Sequence, residues 1–260
     1  MLMRIAKIIR NLTVHGEYHR RKKGPRFTPG NARVMGWDID YVDEAALWTC
    51  INVLVNKGWN DFVSKTDQPF ILDCGANIGI SVLNYERRYP KAEIIAFEPD
   101  PSISKVLKRN LDENGAGDIL VVEEAVWVSD GERQFVCDGS DGSRLALDKD
   151  LNSKLLTVKT VDFSKFIKEP VDLIKMDIEG AEYEVISHLG DKLNLVNSMV
   201  VECHVDNKRI GQFAELLQVL ASVGFNVSVN SYGAWRDLVH KPDKLPTEFD
   251  QYILVAAWRD

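Results

Sequence analysis

The chain is poor in the features that would place it outside the ordinary globular classes. It has only four cysteines in 260 residues. Cys50, Cys74, Cys137 and Cys203 are scattered, with no Cys-x-x-Cys pair. That argues against a disulfide framework and a cysteine-ligated zinc site, and suits reduced thiols in a cytosolic protein. No apolar run approaches the ~20 residues needed to span a bilayer. The N-terminal segment lacks the continuous apolar stretch and small-residue cleavage site of a signal peptide, so a cytoplasmic location is expected. There is no internal repeat and no low-complexity tract. With 45% hydrophobic and 27% charged residues, the chain can bury a full core without covalent staples.

Acidic residues are almost missing from the first 33 positions. Nine Lys/Arg face a single acid, Glu17. The arm therefore carries +8 within a chain of net charge −7, which leaves −15 on the remainder. Such a body repels polyanions, while the arm attracts them. Leu2, Ile5, Ile8, Ile9 and Leu12 recur at helical spacing with Arg4, Lys7 and Arg10 between them. This helix would pack on its own domain or a dimer partner, or lie on an anionic membrane surface. Residues 15–33 read as a basic, extended linker broken by Pro25 and Pro29. A helical pattern returns over 42–64, interrupted near Gly58.

From Phe70 the chain alternates strand and helix. The patterns predict strands at 70–74, 93–97, 119–123, 171–176, 198–203 and 225–229, and a final strand from Tyr252 to Trp258. Helices are predicted at 79–89, 101–114, 180–189 and 207–223. The strands are near-continuous apolar runs, as in an α/β sheet covered on both faces. Between Ala125 and Val161 the alternation is interrupted by short β-rich text with turns at Ser129–Gly131 and Gly139–Gly142. This predicts an insertion of one or two hairpins.

The segment Phe70-Ile-Leu-Asp-Cys-Gly-Ala-Asn-Ile-Gly-Ile80, followed by Ile94-Ile-Ala-Phe-Glu98, is a strand, a glycine-bearing turn, a helix, a second strand and an acid. Glycines let backbone approach a ligand, and a carboxylate after the second strand accepts hydrogen bonds from ribose hydroxyls. A dinucleotide site wants three glycines and a diphosphate at the helix N-terminus. Here the middle glycine is absent, Asn77 stands between Gly75 and Gly79, and Asp73 ends the first strand. A carboxylate there opposes a diphosphate and suits an ammonium group. S-adenosylmethionine has an ammonium, a sulfonium and no phosphate, so it is favoured over NAD.

Leu72-Asp-Cys-Gly-Ala-Asn-Ile-Gly79, Ala96-Phe-Glu-Pro99 and Ile174-Lys-Met-Asp-Ile-Glu-Gly-Ala-Glu182 resemble the FkbM-type S-adenosylmethionine-dependent methyltransferases. The resemblance covers roughly residues 68 to 257. It implies a class I methyltransferase (Rossmann-like) sheet of seven mostly parallel strands with an antiparallel last strand. The first 67 residues, read as a basic arm and helical extension, fall outside the resemblance, and their role does not carry over from it. The resemblance also implies O-methylation, commonly of a sugar or polyketide hydroxyl. Carried onto this sequence, Gly75, Ala76, Asn77 and Gly79 would line the methionine part of the cofactor, and Asp73 would lie near its amino group. Glu98 would hold the ribose hydroxyls, with Pro99 beside the adenine and Glu124 and Ala125 at its edge.

Ligands of open α/β sheets sit beyond the carboxyl ends of the strands, and two of those ends are unusually polar. One is Lys175-Met-Asp177 with Glu179 beyond it; the other is Glu202-Cys-His204. Alternation along a strand puts Lys175 with Asp177 and Glu202 with His204. Methyl transfer to an alcohol needs the hydroxyl proton removed by a positioned base or the hydroxyl acidified by a divalent metal. His204 is the first candidate for the base. Asp177, Glu179 and Glu202 would orient the acceptor, polarise His204 or bind a metal, although no compact ligand spacing favours the metal. Lys175 either contacts the acceptor or pairs with a nearby carboxylate. Ser143 and Arg144, in a polar turn of the insertion, and Tyr183 are further candidates for holding the acceptor. Trp127, Tyr232 and Trp235 are candidates to stack on a sugar face.

An O-methyltransferase acting on a sugar or glycoconjugate hydroxyl is therefore the leading expectation. An RNA ribose 2′-O-methyltransferase is a rival: lysine and acids around a methyl group and the basic arm favour it, and the −15 body opposes it. A nicotinamide-dependent sugar oxidoreductase and a non-catalytic partner subunit are the others.

Overall fold

The computed structural model describes residues 16, 21, 26–56, 62–136, 144–145, 155–205, 209–232 and 251–259. The predicted helix at 2–12 lies outside these residues. The first described elements are a hairpin, β1 (Gly30–Val34) and β2 (Trp37–Tyr41), and helix α1 (Glu44–Asn56). The part of the 15–33 segment read as linker that begins at Gly30 is thus strand. Met35 and Gly36 both have positive φ (54° and 92°), as a two-residue hairpin turn requires. The alternation of Val34, Trp37 and Ile39 with polar residues was the sequence signal for it.

The main sheet begins at β3 (Phe70–Cys74). Then come α2 (Ile80–Arg88), β4 (Glu93–Phe97), α3 (Pro101–Glu113) and β5 (Leu120–Val122). Four strands of the insertion follow: β6 (Ala125–Trp127), β7 (Gly131–Val136), β8 (Arg144–Leu145) and β9 (Leu155–Asp162). The chain returns to the main sheet with β10 (Leu173–Met176), α4 (Glu182–Leu189), β11 (Ser198–Val205), α5 (Ile210–Ser222), β12 (Asn226–Tyr232) and β13 (Gln251–Trp258). Helix α3 starts where it does for local reasons: Pro101 occupies the first turn and the Asp100 carboxylate accepts from the Ser102 and Ile103 amides.

Seven strands form the main sheet in the order β12-β13-β11-β10-β3-β4-β5. β10, β3, β4, β5 and β11 run parallel, and β13 is antiparallel to both its neighbours. This is the class I methyltransferase sheet. The insertion is a separate four-stranded sheet, order β6-β9-β7-β8.

Side chains alternate across the main sheet into two apolar layers. Ile71, Leu173 and Val200 join one layer with Leu83, Leu107 and Leu111 of α2 and α3 and Leu47 and Ile51 of α1. Leu72, Ile174 and Val201 join the other with Val185 and Ile186 of α4 and Leu216 and Leu220 of α5. Burying each such side chain contributes about 1.5–3 kcal/mol. Asp73, Lys175 and Glu202 fall on the same alternation as Ile71, Leu173 and Val200, so they belong to the face that α1 and the hairpin help to cover. The hairpin is tied down by α3. The Asn110 amide accepts from Asp40 N (2.8 Å) and donates to Asp40 O (3.0 Å), and Asn114 does the same for Asp38 (3.1 and 2.8 Å). Two asparagine amides thus occupy hydrogen-bonding positions that β2 would otherwise leave open.

Candidate active site

The turn after β3 is built by three residues with positive φ: Gly75 (78°), Asn77 (48°) and Gly79 (94°). A Cβ on Gly75 would lie 1.8 Å from the Asp177 carbonyl oxygen. Only glycine allows the turn to press against the end of β10. Asn77 tolerates its left-handed conformation with its own carbonyl oxygen accepting from Ile78 N (2.8 Å). The Gly75 and Ala76 amides both donate to Phe97 O (3.1 and 2.9 Å), which ties the turn to the end of β4.

Glu98 follows that end and is buried. Its two oxygens accept from Asn77 N (3.0 Å) and Asp100 N (2.9 Å). Burial pushes its pKa up to about 7, aided by the Asp100 charge and opposed by those two amides. Each oxygen keeps a lone pair for a ligand hydroxyl. Asp73, at the end of β3, is fully buried. Beyond an ion pair with Lys175 (3.2 Å), neither of its oxygens accepts a hydrogen bond among the described residues.

The second half of the site is made by the ends of β10 and β11. Asp177 donates its amide to Cys74 O (3.0 Å), and its Oδ1 is buried without a hydrogen-bond donor among the described residues. Burial lifts its pKa to about 7; Lys175 opposes this and the Glu179 charge adds to it. Glu179 has φ 56°, a conformation unusual for a residue with a long side chain. Its carboxylate lies 3.0 Å from His204 Nε2, and Glu182 Oε1 lies 3.4 Å from His204 Nδ1. The imidazole is fully buried between them. Burial alone would push its pKa down, but the Glu179 and Glu182 carboxylates outweigh it and hold the ring well above its ordinary value. Glu202, on the same strand, is pushed well above the carboxylate range by burial and the neighbouring Asp177 charge. Asp177, Glu179 and His204 bring one oxygen or nitrogen each within 4.8 Å of the other two, close enough together to hold a metal ion, which their spacing along the sequence did not suggest.

Residues 73–227 match the Methyltransferase FkbM domain. The chain belongs to the FkbM methyltransferase family. Methyltransferase 1 of Beauveria bassiana (strain ARSEF 2860) is 29% identical over 221 residues, covering 75% of this chain and 84% of that protein. Hexuronic acid methyltransferase AglP of Haloferax volcanii is 28% identical over 150 residues, covering 55% of this chain and 60% of that protein. The crystal structure of M. jannaschii TYW2 in complex with AdoMet shares the fold, with a TM-score of 0.50, 13% identity and coverage of 90% and 86% of the two chains.

This FkbM methyltransferase uses S-adenosylmethionine. The residues present fit that cofactor: Asp73 has acceptor capacity left for an ammonium group, and Glu98 has it for two hydroxyls. The Gly75–Gly79 turn joins them, and Pro99 follows Glu98 directly. Glu124 lines a separate cavity of about 900 Å³, together with Phe70, Glu93 and Lys165. Ala125 packs its side chain with Phe135 and Val158 in the small sheet, so any contact it makes with an adenine comes through its backbone.

Two acceptor candidates need correction. Lys175 is 1% exposed; its ammonium pairs with Asp73 and donates to Gly75 O (2.6 Å) and Cys74 O (3.3 Å). A buried ammonium must find partners inside the protein, so Lys175 braces the cofactor turn instead of meeting an acceptor. Tyr183 is buried, and its hydroxyl donates to His204 O (3.3 Å); it supports the strand end from behind. Ser143 and Trp235 lie outside the described residues. Arg144 opens β8, paired with Val136, and Tyr232 closes β12. Arg133 stacks over the Trp127 ring at 4.1 Å. Sequence reasoning missed Glu182 and Tyr252. The Tyr252 ring meets the His204 ring edge-on at 5.3 Å and remains 39% exposed. Its signal was only register: Tyr252 is the residue opposite His204.

Proposed function

We propose that the protein is an O-methyltransferase that moves the methyl group of S-adenosylmethionine to a hydroxyl of a sugar, glycoconjugate or related natural product. The observation that carries this reading is the buried His204 ring, 3.0 Å from Glu179 and at the carboxyl end of a strand beside the cofactor turn. An alcohol is a poor nucleophile while it keeps its proton, and a base placed at that strand end removes it. The name of AglP, a hexuronic acid methyltransferase, supports a sugar acceptor.

In this reading Asp73, Glu98 and the Gly75–Gly79 turn hold the cofactor, which supplies an electrophilic methyl group on a sulfonium. His204 Nε2 takes the acceptor's hydroxyl proton. Glu179, 3.0 Å from that nitrogen and with its side chain 22% exposed, is the route by which the proton reaches solvent. Asp177 and Glu202 orient the acceptor. Tyr252, half-exposed beside His204, offers an apolar face for sugar C–H groups.

The test is mass spectrometry of a glycan and glycoside pool incubated with the protein and isotope-labelled S-adenosylmethionine. Label on a sugar hydroxyl is the expected result. Label on RNA ribose, with none on glycans, replaces this reading with ribose methylation.

A further inference from the structure

Glu182, like Glu98, has its position set by backbone amides. It is 0% exposed. Its Oε1 accepts from Ile178 N (3.1 Å) and Gly180 N (3.0 Å) and lies 3.4 Å from His204 Nδ1. The two amides belong to the turn that also carries Glu179, so one short segment fixes an acid on each side of the ring. An acid at the start of α4 would also complement the helix dipole. A purely helix-directed role, however, does not require burial or contact with an imidazole on another element. Burial pushes the Glu182 pKa up, but the hydrogen bond and charge of His204 outweigh it, and the carboxyl stays below its ordinary value. Glu182 is therefore a charged carboxylate throughout the neutral range.

We infer that Glu182 is a positioning residue for His204: it holds the Nδ1 proton, so the ring keeps one tautomer and Nε2 is the nitrogen that meets the acceptor. The part that concerns an acceptor rests on the O-methyltransfer reading. The Glu182–His204 linkage itself does not. On proton transfer the acceptor O–H bond breaks and an N–H bond forms at Nε2. The electron pair left on oxygen would bond the methyl carbon as the S–CH₃ bond breaks and its pair returns to sulfur, leaving the neutral thioether, while the Nδ1–H stays facing Glu182. A neutral ring with its proton on Nε2 could not accept there. Without an anion at Nδ1, the imidazolium formed in the step would lose its fully buried counter-charge and keep only the partly exposed Glu179.

The groups facing the ring come from every neighbouring element. Glu179 and Asp177 extend from β10, Glu182 comes from α4, and Glu202 is on the ring's own strand. From β13 comes the Tyr252 ring, which presents an edge contact. Lys175 directs its charge at Asp73. Glu179 is 22% exposed and Glu182 0%, so Glu182 is the member of the pair that water screens least.

The deciding measurement is nitrogen NMR of the full chain labelled with ¹⁵N-histidine, the His204 signals being assigned by their loss in His204→Asn. In the wild type, deprotonation should leave the proton on Nδ1. In Glu182→Gln, which keeps an acceptor for the two amides but removes the charge, the His204 titration midpoint should fall by about one unit or more. With an acceptor in hand, Glu182→Gln should lower kcat about 10- to 1000-fold. The rising limb of its pH–rate profile should move to lower pH, with S-adenosylmethionine affinity unchanged. Glu182→Asp should restore part of the midpoint. A wild-type ring carrying its proton on Nε2, or a midpoint unmoved in Glu182→Gln, overturns the inference. The wild-type tautomer needs neither Glu182→Gln nor an acceptor, so that test stands even if Glu182→Gln does not fold. A correct tautomer with no methylated sugar would remove the function reading and leave the linkage intact.

Discussion

Asp73 and Lys175 lie opposite each other on adjacent parallel strands, their charged atoms 3.2 Å apart and both side chains buried. The same ammonium donates to the Cys74 and Gly75 carbonyls. One buried cation therefore joins the strand that leads into the cofactor turn to the strand whose end carries Asp177. Burial would lower the lysine pKa, but the Asp73 and Asp177 charges outweigh it and keep the ammonium charged.

Removing that cation should be costly. Lys175→Met leaves the Asp73 carboxylate buried and unpaired, a change worth roughly 3–5 kcal/mol. For a chain of this size that is about 6–20 °C in melting temperature. The double variant Asp73→Asn/Lys175→Met should recover part of the loss, because the orphaned charge is gone. Thermal unfolding followed by circular dichroism checks both, and an unchanged melting temperature in the single variant would show that the pair is not holding the turn.

Gly75 and Gly79 should differ in their tolerance of alanine. At Gly75 the new methyl meets the Asp177 carbonyl oxygen at 1.8 Å, backbone that cannot swing away; at Gly79 it meets Leu107 Cδ1 at 2.7 Å, the end of a mobile side chain. Gly79→Ala is expected to cost about 1–2 kcal/mol through its positive φ and to retain cofactor binding. Gly75→Ala should abolish binding of S-adenosylhomocysteine by calorimetry. Equal affinities in the two variants would refute the close approach as the reason for Gly75.

Glu98 should show both in affinity and in the pH dependence of stability. Its folded pKa, about 7, lies above the ordinary 4.5. The folded state then binds the proton more tightly, so stability declines as pH rises from about 4.5 to about 7. Glu98→Gln should flatten that decline in denaturant titrations. It should also weaken S-adenosylmethionine binding by about 10- to 100-fold, the scale of a charge-assisted hydrogen bond of 1.5–3 kcal/mol. Wild-type affinity in this variant would remove Glu98 from the ribose site.

His204 is held above its ordinary value of 6.5, so the ring stays protonated as pH passes that point. As the base it becomes available only above that raised value, and kcat should climb as pH rises through it. Its pairing stabilises the fold fully below 6.5, and that contribution is lost as pH rises through the raised folded value. His204→Asn should lower turnover by roughly 10²–10⁴-fold with cofactor affinity unchanged. Full activity of the variant across the pH range would exclude it as the base.

Much of the fold was legible because its signals are local. The runs at 70–74 and 93–97 are apolar on both faces, and the structure places β3 and β4 at those positions with a helix between them. The hairpin at Gly30–Tyr41 was missed because its first strand begins inside the basic segment read as linker, although Trp37, Ile39 and Tyr41 alternate with acids in its second. At the site, the polar strand ends were visible as carboxylates and an imidazole where burial forbids unpaired charge. Their partners were not. Lys175 could pair with an acid or a substrate, and only the register that sets it beside Asp73 decides between them.

The chain by itself determined the strand–turn–helix that receives the cofactor, because glycine, Asn77, Asp73 and Glu98 act within one contiguous unit where spacing is geometry. Tertiary structure decided which charges meet. Glu182 and His204 are 22 residues apart in sequence and 3.4 Å apart in space. They meet because a parallel sheet brings the ends of β10 and β11 side by side and a left-handed turn at Glu179 folds the chain back toward the ring. Pairing in a buried site follows from neighbouring strands and low water access, and neither is written in the spacing of residues along the chain.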